Sequence, residues 1–163
     1  MFDETTLDLA TRVLAHYRAQ DLKLGMAESC TGGLISGALT AIAGSSDTFE
    51  GGFNTYSNEA KTLMIGVDPA LIQRVGAVSE EVARAMAEGV LARLPRVDVA
   101  VAVTGVAGPG GGTATKPVGL VHFGLSIRGQ ATFAWHKIFP GDRHGVRLAS
   151  VQEALTVLLA GGP

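Results

Sequence analysis

Residues 97–104 read VDVAVAVT, and no other stretch limits the fold of this chain so strongly. Small and β-branched residues with one early charge, Asp98, leave the segment no polar face, so a strand here must be covered on both sides. Such a strand lies at the centre of a sheet with helices above and below. The flanking pattern agrees. Leu7, Ala10, Val13, Leu14 and Tyr17 recur at helical spacing and predict a helix over about residues 4–19. A strand is expected over 23–28, a helix over 31–42, a strand over 51–56 and a short helix from Asn58 to Gly66. Asp68-Pro69 and Ser79-Glu80-Glu81 mark two further helix starts, the second running to about Leu94. Strands at 118–127 and 131–139 form a hairpin about Gly129, and a last helix begins at Asp142. Helices alternating with strands, plus one hairpin, predict an α/β fold: a three-layer α/β/α sandwich with a mixed, mostly parallel sheet. At 163 residues the chain suffices for one core, so residues 1–163 are expected to form a single domain.

Composition removes several function classes. The formal charge of -2 and the lack of any Lys/Arg run argue against a nucleic-acid binder, which needs a clustered basic surface. No apolar stretch approaches the roughly twenty residues that span a bilayer, so no membrane association is expected. The start, MFDETTLDLATRV, is acidic and amphipathic rather than signal-like, and the single cysteine, Cys30, fits a reducing compartment; a cytoplasmic location is expected. The four histidines, His16, His122, His136 and His144, are not paired at metal-ligand spacing, so neither a metal nor a cofactor is expected.

In layered sheets of this kind ligands sit beyond the C-terminal ends of strands, here at residues 29–33 and 104–112. In the turn Ser29-Cys30-Thr31-Gly32-Gly33, helix-start amides can hold an anion, or Ser29 or Thr31 can simply cap the helix. Cys30 offers a thiol nucleophile or a small buried side chain. The loop GVAGPGGG at 105–112 lacks the lysine and hydroxyl residue that complete a phosphate loop, and its glycine spacing is not the dinucleotide fingerprint. Residues 44–61, GSSDTFEGGFNTYSNEAK, gather Ser45, Ser46, Tyr56 and Lys61. Serine attacks only once its proton is removed, and a neutral buried lysine is one group able to remove it. Turn and capping roles would place the same residues there. Tyr56 and Lys61 are separated by four residues, one more than in the tyrosine–lysine pair of short-chain dehydrogenases. Arg143, at the start of the last helix, is suited either to a phosphate or carboxylate or to a surface ion pair.

Six segments taken in order carry a resemblance along nearly the whole chain: AESCTGG at 27–33, AGSSDTFEGGFNTYSNEAK at 43–61, GAVSEEV at 76–82, TGVAGPGGG at 104–112, KPVGLV at 116–121 and FPGDR at 139–143. Together they resemble the CinA C-terminal domain family, whose active members are PncC-type nicotinamide mononucleotide deamidases. In many relatives the domain follows a pyrophosphatase-like one, and this chain is similar to the stand-alone form. The resemblance implies an amidohydrolase that converts nicotinamide mononucleotide to nicotinic acid mononucleotide and ammonia in pyridine nucleotide recycling. It implies Ser46 as nucleophile, Lys61 as base and Tyr56 and Arg143 as supporting groups. Thr31, Gly32, Gly33, Thr104, Gly105 and Gly108 follow as substrate contacts, joined by Ser29 of the same turn. A neutral Lys61 requires burial or a nearby cation, and Arg143 is one source of that field. The expected partner is a small nucleotide, with a homodimer expected from the apolar helix faces. The competing reading is a noncatalytic nucleotide-binding or competence-related interaction domain.

Overall fold

Most helices of the chain start where a short polar side chain can accept from an otherwise unpaired amide. Asp3 accepts from Thr6 N at the start of α1 (Glu4–Ala19) and Ser57 from Ala60 N at α3 (Asn58–Ile65). Asp68 accepts from Ala70 N at α4 (Pro69–Val75), where Pro69 presets the first turn. Ser79 caps α5 (Glu80–Arg93) through Val82 N, and Asp142 caps α6 (Arg143–Ala160) through Gly145 N. The exception is α2 (Leu34–Thr40), whose capping position is Gly33 and carries no side chain. The computed structural model describes residues 2–161; Met1, Gly162 and Pro163 of the expected 1–163 domain lie outside the described residues.

The strands are β1 (Leu24–Glu28), β2 (Phe49–Asn54), β3 (Val99–Gly105), β4 (Leu120–Ile127) and β5 (Phe133–Ile138). They form one five-stranded sheet in the order β2-β1-β3-β4-β5. β1 pairs in parallel with β2 and β3, while β4 runs antiparallel to β3 and β5. The three layers and the mixed sheet are as expected, but the parallel character is only partial. β4 alone is reversed, yet two of the four pairings are antiparallel, because the hairpin docks directly beside the central strand.

The Val/Ala alternation of β3 encodes its two faces. Val99, Val101 and Val103 enter a core with Leu14 of α1, Ile35 of α2 and Leu155 of α6. Ala100 and Ala102 face a second core with Val82, Met86 and Val90 of α5. Small residues are required on that side because α5 lies hard against the sheet. A Cβ added at Gly124 would stand 2.2 Å from Ala83 O, and one at Gly25 would stand 2.7 Å from Val90 Cγ1. Among the described residues no helix is long and apolar enough to cross a membrane.

Candidate active site

β1 ends on Glu28, a carboxylate only 1% exposed. Burying that charge would be costly without partners. Glu28 finds four: Oε2 accepts from Gly33 N and Ile35 N, both at 3.0 Å, and Oε1 from Ser36 N at 2.8 Å and Ser36 Oγ at 2.7 Å. It therefore caps α2 from the preceding strand, where a negative charge also meets the positive helix end. The intervening turn folds back through left-handed glycines, Gly32 at φ +61° and Gly33 at φ +93°. Arg147 of α6 holds the turn from outside, donating to Cys30 O and Thr31 O at 3.1 Å each. Ser29 N extends the β1–β3 ladder by donating to Val103 O at 3.0 Å. Ser29 is thus fixed from both sides.

Lys61 arrives from the first turn of α3, just beyond the end of β2. It is 1% exposed, and its Nζ donates to Ser29 Oγ at 3.0 Å and to Thr55 O at 2.8 Å. Among the described residues no carboxylate forms an ion pair with it. Burial pulls its pKa down from 10.5 to about 8, with the neighbouring Cys30 thiol acting weakly the other way. The result is a lysine with an accessible neutral state, hydrogen-bonded to a serine hydroxyl.

The pair opens onto a cavity of ≈ 230 Å³ bordered by Tyr56, Asn58, Ala77, Val78, Thr104, Gly105, Ala107 and Arg143. Arg143, at the first position of α6, spans the cavity mouth: Nη1 donates to Gly108 O and Nη2 to Tyr56 Oη, both at 2.9 Å. Thr104 is buried and donates to Ala77 O at 2.9 Å, fixing the strap before α5. A second cavity of ≈ 640 Å³ adjoins through Ala107 and Arg143 and is lined further by Pro109, Val118, His144 and Arg147. An apolar groove of ≈ 410 Å³ between α3 and α4, lined by Leu63, Pro69 and Ile72, lacks this serine–lysine pair.

The structure brings Lys61, Tyr56, Arg143, Ser29, Thr104 and Gly105 to one cavity, and Gly108 joins through its carbonyl. It does not bring Ser46. That residue is exposed on a single 3-10 turn, Ser45–Asp47, which feeds the beginning of β2. Thr48 O accepts from Leu24 N, so the turn sits at the N-terminal ends of β1 and β2, whereas Lys61 follows their C-terminal ends. Six residues of extended strand separate the two by about 20 Å. The expected pairing of Ser46 with Lys61 is corrected to Ser29 with Lys61. The turn at 31–33 also differs from expectation as a substrate cradle. Gly33 N is engaged by Glu28, Gly32 N by Ser29 O, and Thr31 is fully buried. Neither Ser29 nor Thr31 caps α2; Glu28 does, and nothing in the sequence marked it except a charge at the end of an apolar strand. Burial pushes the Cys30 thiol up to about 11, which leaves it protonated at neutral pH and unsuited to attack.

Comparison with known proteins identifies the family and the fold. The model of the CinA C-terminal domain family matches residues 6–161. A CinA-like protein of Akkermansia muciniphila is 50% identical over 151 residues, 93% of this chain and 36% of that protein. The chain thus spans about a third of the length of such CinA-like relatives. A protein of Enterobacter agglomerans named nicotinamide-nucleotide amidohydrolase PncC is 44% identical over 159 residues, 98% of this chain and 96% of that protein. The crystal structure of the competence/damage inducible protein CihA from Agrobacterium tumefaciens superposes with a TM-score of 0.95 at 46% identity, covering 98% of this chain and 97% of that one. A deamidase role is therefore represented within the family, and this chain belongs to the CinA C-terminal domain family.

Proposed function

We propose that the chain is an amidohydrolase that releases ammonia from nicotinamide mononucleotide, with Ser29 as nucleophile and Lys61 as its base. The observation that carries this reading is the 3.0 Å contact between Lys61 Nζ and Ser29 Oγ, made by a buried lysine that no carboxylate pairs among the described residues. Neutral Lys61 takes the hydroxyl proton as Ser29 Oγ bonds to the carboxamide carbon. The tetrahedral intermediate collapses as Lys61 returns that proton to the nitrogen; the C–N bond breaks, ammonia departs and the acyl group remains as an ester on Ser29 Oγ. Water then attacks the ester while Lys61 again accepts a proton, and nicotinic acid mononucleotide departs as Ser29 recovers its hydrogen. Arg143 has donors left over after Gly108 O and Tyr56 Oη, and its place on the cavity wall makes them available to the charge that develops on the carbonyl oxygen. The adjoining cavity, with Arg143, His144 and Arg147 on its wall, suits the nucleotide phosphate.

The test is ammonia release from nicotinamide mononucleotide by purified Ser29→Ala, Ser46→Ala and Lys61→Met proteins. Loss of activity in the first and third, with Ser46→Ala close to the parent, is the expected pattern. An active Ser29→Ala protein removes the assignment. Saturable binding without ammonia release at any pH would favour a noncatalytic nucleotide-binding domain instead.

A further inference from the structure

Linear spacing leaves the histidines of this chain unpaired, but the β4–β5 hairpin does not. Its register sets His122 directly opposite His136, with ring centroids 5.2 Å apart. His122 is in turn the cross-strand neighbour of Thr104, whose hydroxyl reaches the strap before α5, so both rings lie on the α5 side of the sheet. The first residue of α5 is Glu80, and its Oε1 stands 3.6 Å from His136 Nδ1. One nitrogen of each ring and one carboxylate oxygen lie within 4.8 Å of one another. Ligand atoms at zinc distances of about 2.0–2.2 Å in a tetrahedral shell lie about 3.4 Å apart, so closure requires shifts of about 1 Å. His136 is half-exposed and Glu80 nearly so, which leaves both side chains room to make that adjustment.

A simple ion pair between Glu80 and His136 would not account for His122. Its Nδ1 is buried and has no hydrogen-bond partner among the described residues. Buried polar atoms left unpaired are uncommon and point to a missing ion or donor. Of the charged groups facing the ring, the carboxylates of Glu80 and Glu81 favour a cation at this place and the Lys116 ammonium opposes one. The Lys116 ammonium is itself turned to Val75 O at 2.7 Å.

We propose that Glu80, His122 and His136 form a binding site for one borderline divalent transition-metal ion of the zinc(II) class, with water completing its shell on the open side. Two imidazoles and a carboxylate suit such an ion better than calcium or magnesium, which prefer all-oxygen shells. The ion ties the N-terminus of α5 to the hairpin. It is one strand removed from Thr104 and takes no part in the serine–lysine chemistry.

The experiment titrates the full chain, stripped with chelator, with zinc(II) in calorimetry and in competition with a chromophoric chelator. One equivalent is expected to bind and to raise the thermal unfolding midpoint. His136→Ala and Glu80→Gln, both at accessible positions, should keep the fold by circular dichroism. Each should weaken binding at least about tenfold, the loss found even for outer-shell partners of metal sites. Cobalt(II) in place of zinc should give the intense visible bands of a low-coordinate site, lost in both variants. No binding by the parent chain, or unchanged affinity in both variants, overturns the proposal. So does zinc that redistributes to His16 or His144, detected as binding abolished only by changes at those positions.

Discussion

The pH dependence of ammonia release is the most direct probe of Lys61. With the ordinary pKa of 10.5, only about 3 in 10,000 lysines are neutral at pH 7, a base too scarce to sustain useful turnover. With the pKa drawn down to about 8 by burial, about one in eleven is neutral, a gain of about three-hundredfold in the active form. The expected kcat/KM for nicotinamide mononucleotide therefore rises with pH along a single limb centred near about 8, gaining about tenfold from pH 7 to pH 9. Lys61→Met should lower kcat/KM by about a hundredfold to ten-thousandfold and abolish that limb. Stability carries the same signature with a defined sign. Between about 8 and 10.5 the unfolded chain still holds the proton that the folded one has released, so raising the pH through this window favours the folded state. The parent protein should gain stability there relative to Lys61→Met, read from urea midpoints. A kcat/KM profile flat from about pH 6.5 to 9, or one that turns only near 10.5, would refute the neutral-lysine argument.

Two further substitutions probe the cavity mouth and the packing behind it. Tyr56→Phe removes the acceptor of one Arg143 hydrogen bond from a residue that is 60% exposed. It should cost about threefold to tenfold in kcat/KM with no more than about 0.5 kcal/mol in stability, measured by steady-state kinetics and urea unfolding. Gly89→Ala lies inside α5, where alanine ordinarily stabilises a helix by about 1 kcal/mol. Here the new Cβ would stand 2.1 Å from Ile65 O, so the sign should reverse and the thermal midpoint should fall.

Much of the fold is legible because capping and periodicity are local. Asp68, Ser79 and Asp142 each announce a helix that then forms where they place it, and the spacing of Leu7 to Tyr17 places α1. The near-continuous apolar run VDVAVAVT already states that both faces of the central strand are covered. The partner of Lys61 was not legible in the same way. Ser46 shares its polar segment with Lys61 and Tyr56, but the strand β2 lies between and carries the lysine to the other end of the sheet. Ser29 is 32 positions away in sequence and meets Lys61 only because β1 and β2 run parallel and end together. The histidine pair was missed for a related reason: a hairpin pairs residues by register, not by ligand spacing.

Glu28 links the fold to the chemistry most tightly, and its replacement tests that link. The residue directly precedes Ser29, and a carboxylate turned toward Lys61 would hold the lysine charged and idle. Instead both oxygens point into α2, where four donors engage them, and no such ion pair forms. In Glu28→Gln one oxygen becomes an amide nitrogen facing donors, so about two of those bonds are lost along with the charge at the helix end. At about 1–3 kcal/mol for each buried donor left unpaired, the protein should lose about 2–6 kcal/mol in urea unfolding. The turn through Gly32 and Gly33 would loosen with it, and Ser29 would be less well placed against Lys61. Because the base itself is untouched, kcat should fall while the limb near about 8 stays where it is. A variant with full stability would show that the α2 cap is dispensable. A limb displaced by more than about one pH unit would show that Glu28 acts on Lys61 through its charge rather than by positioning Ser29.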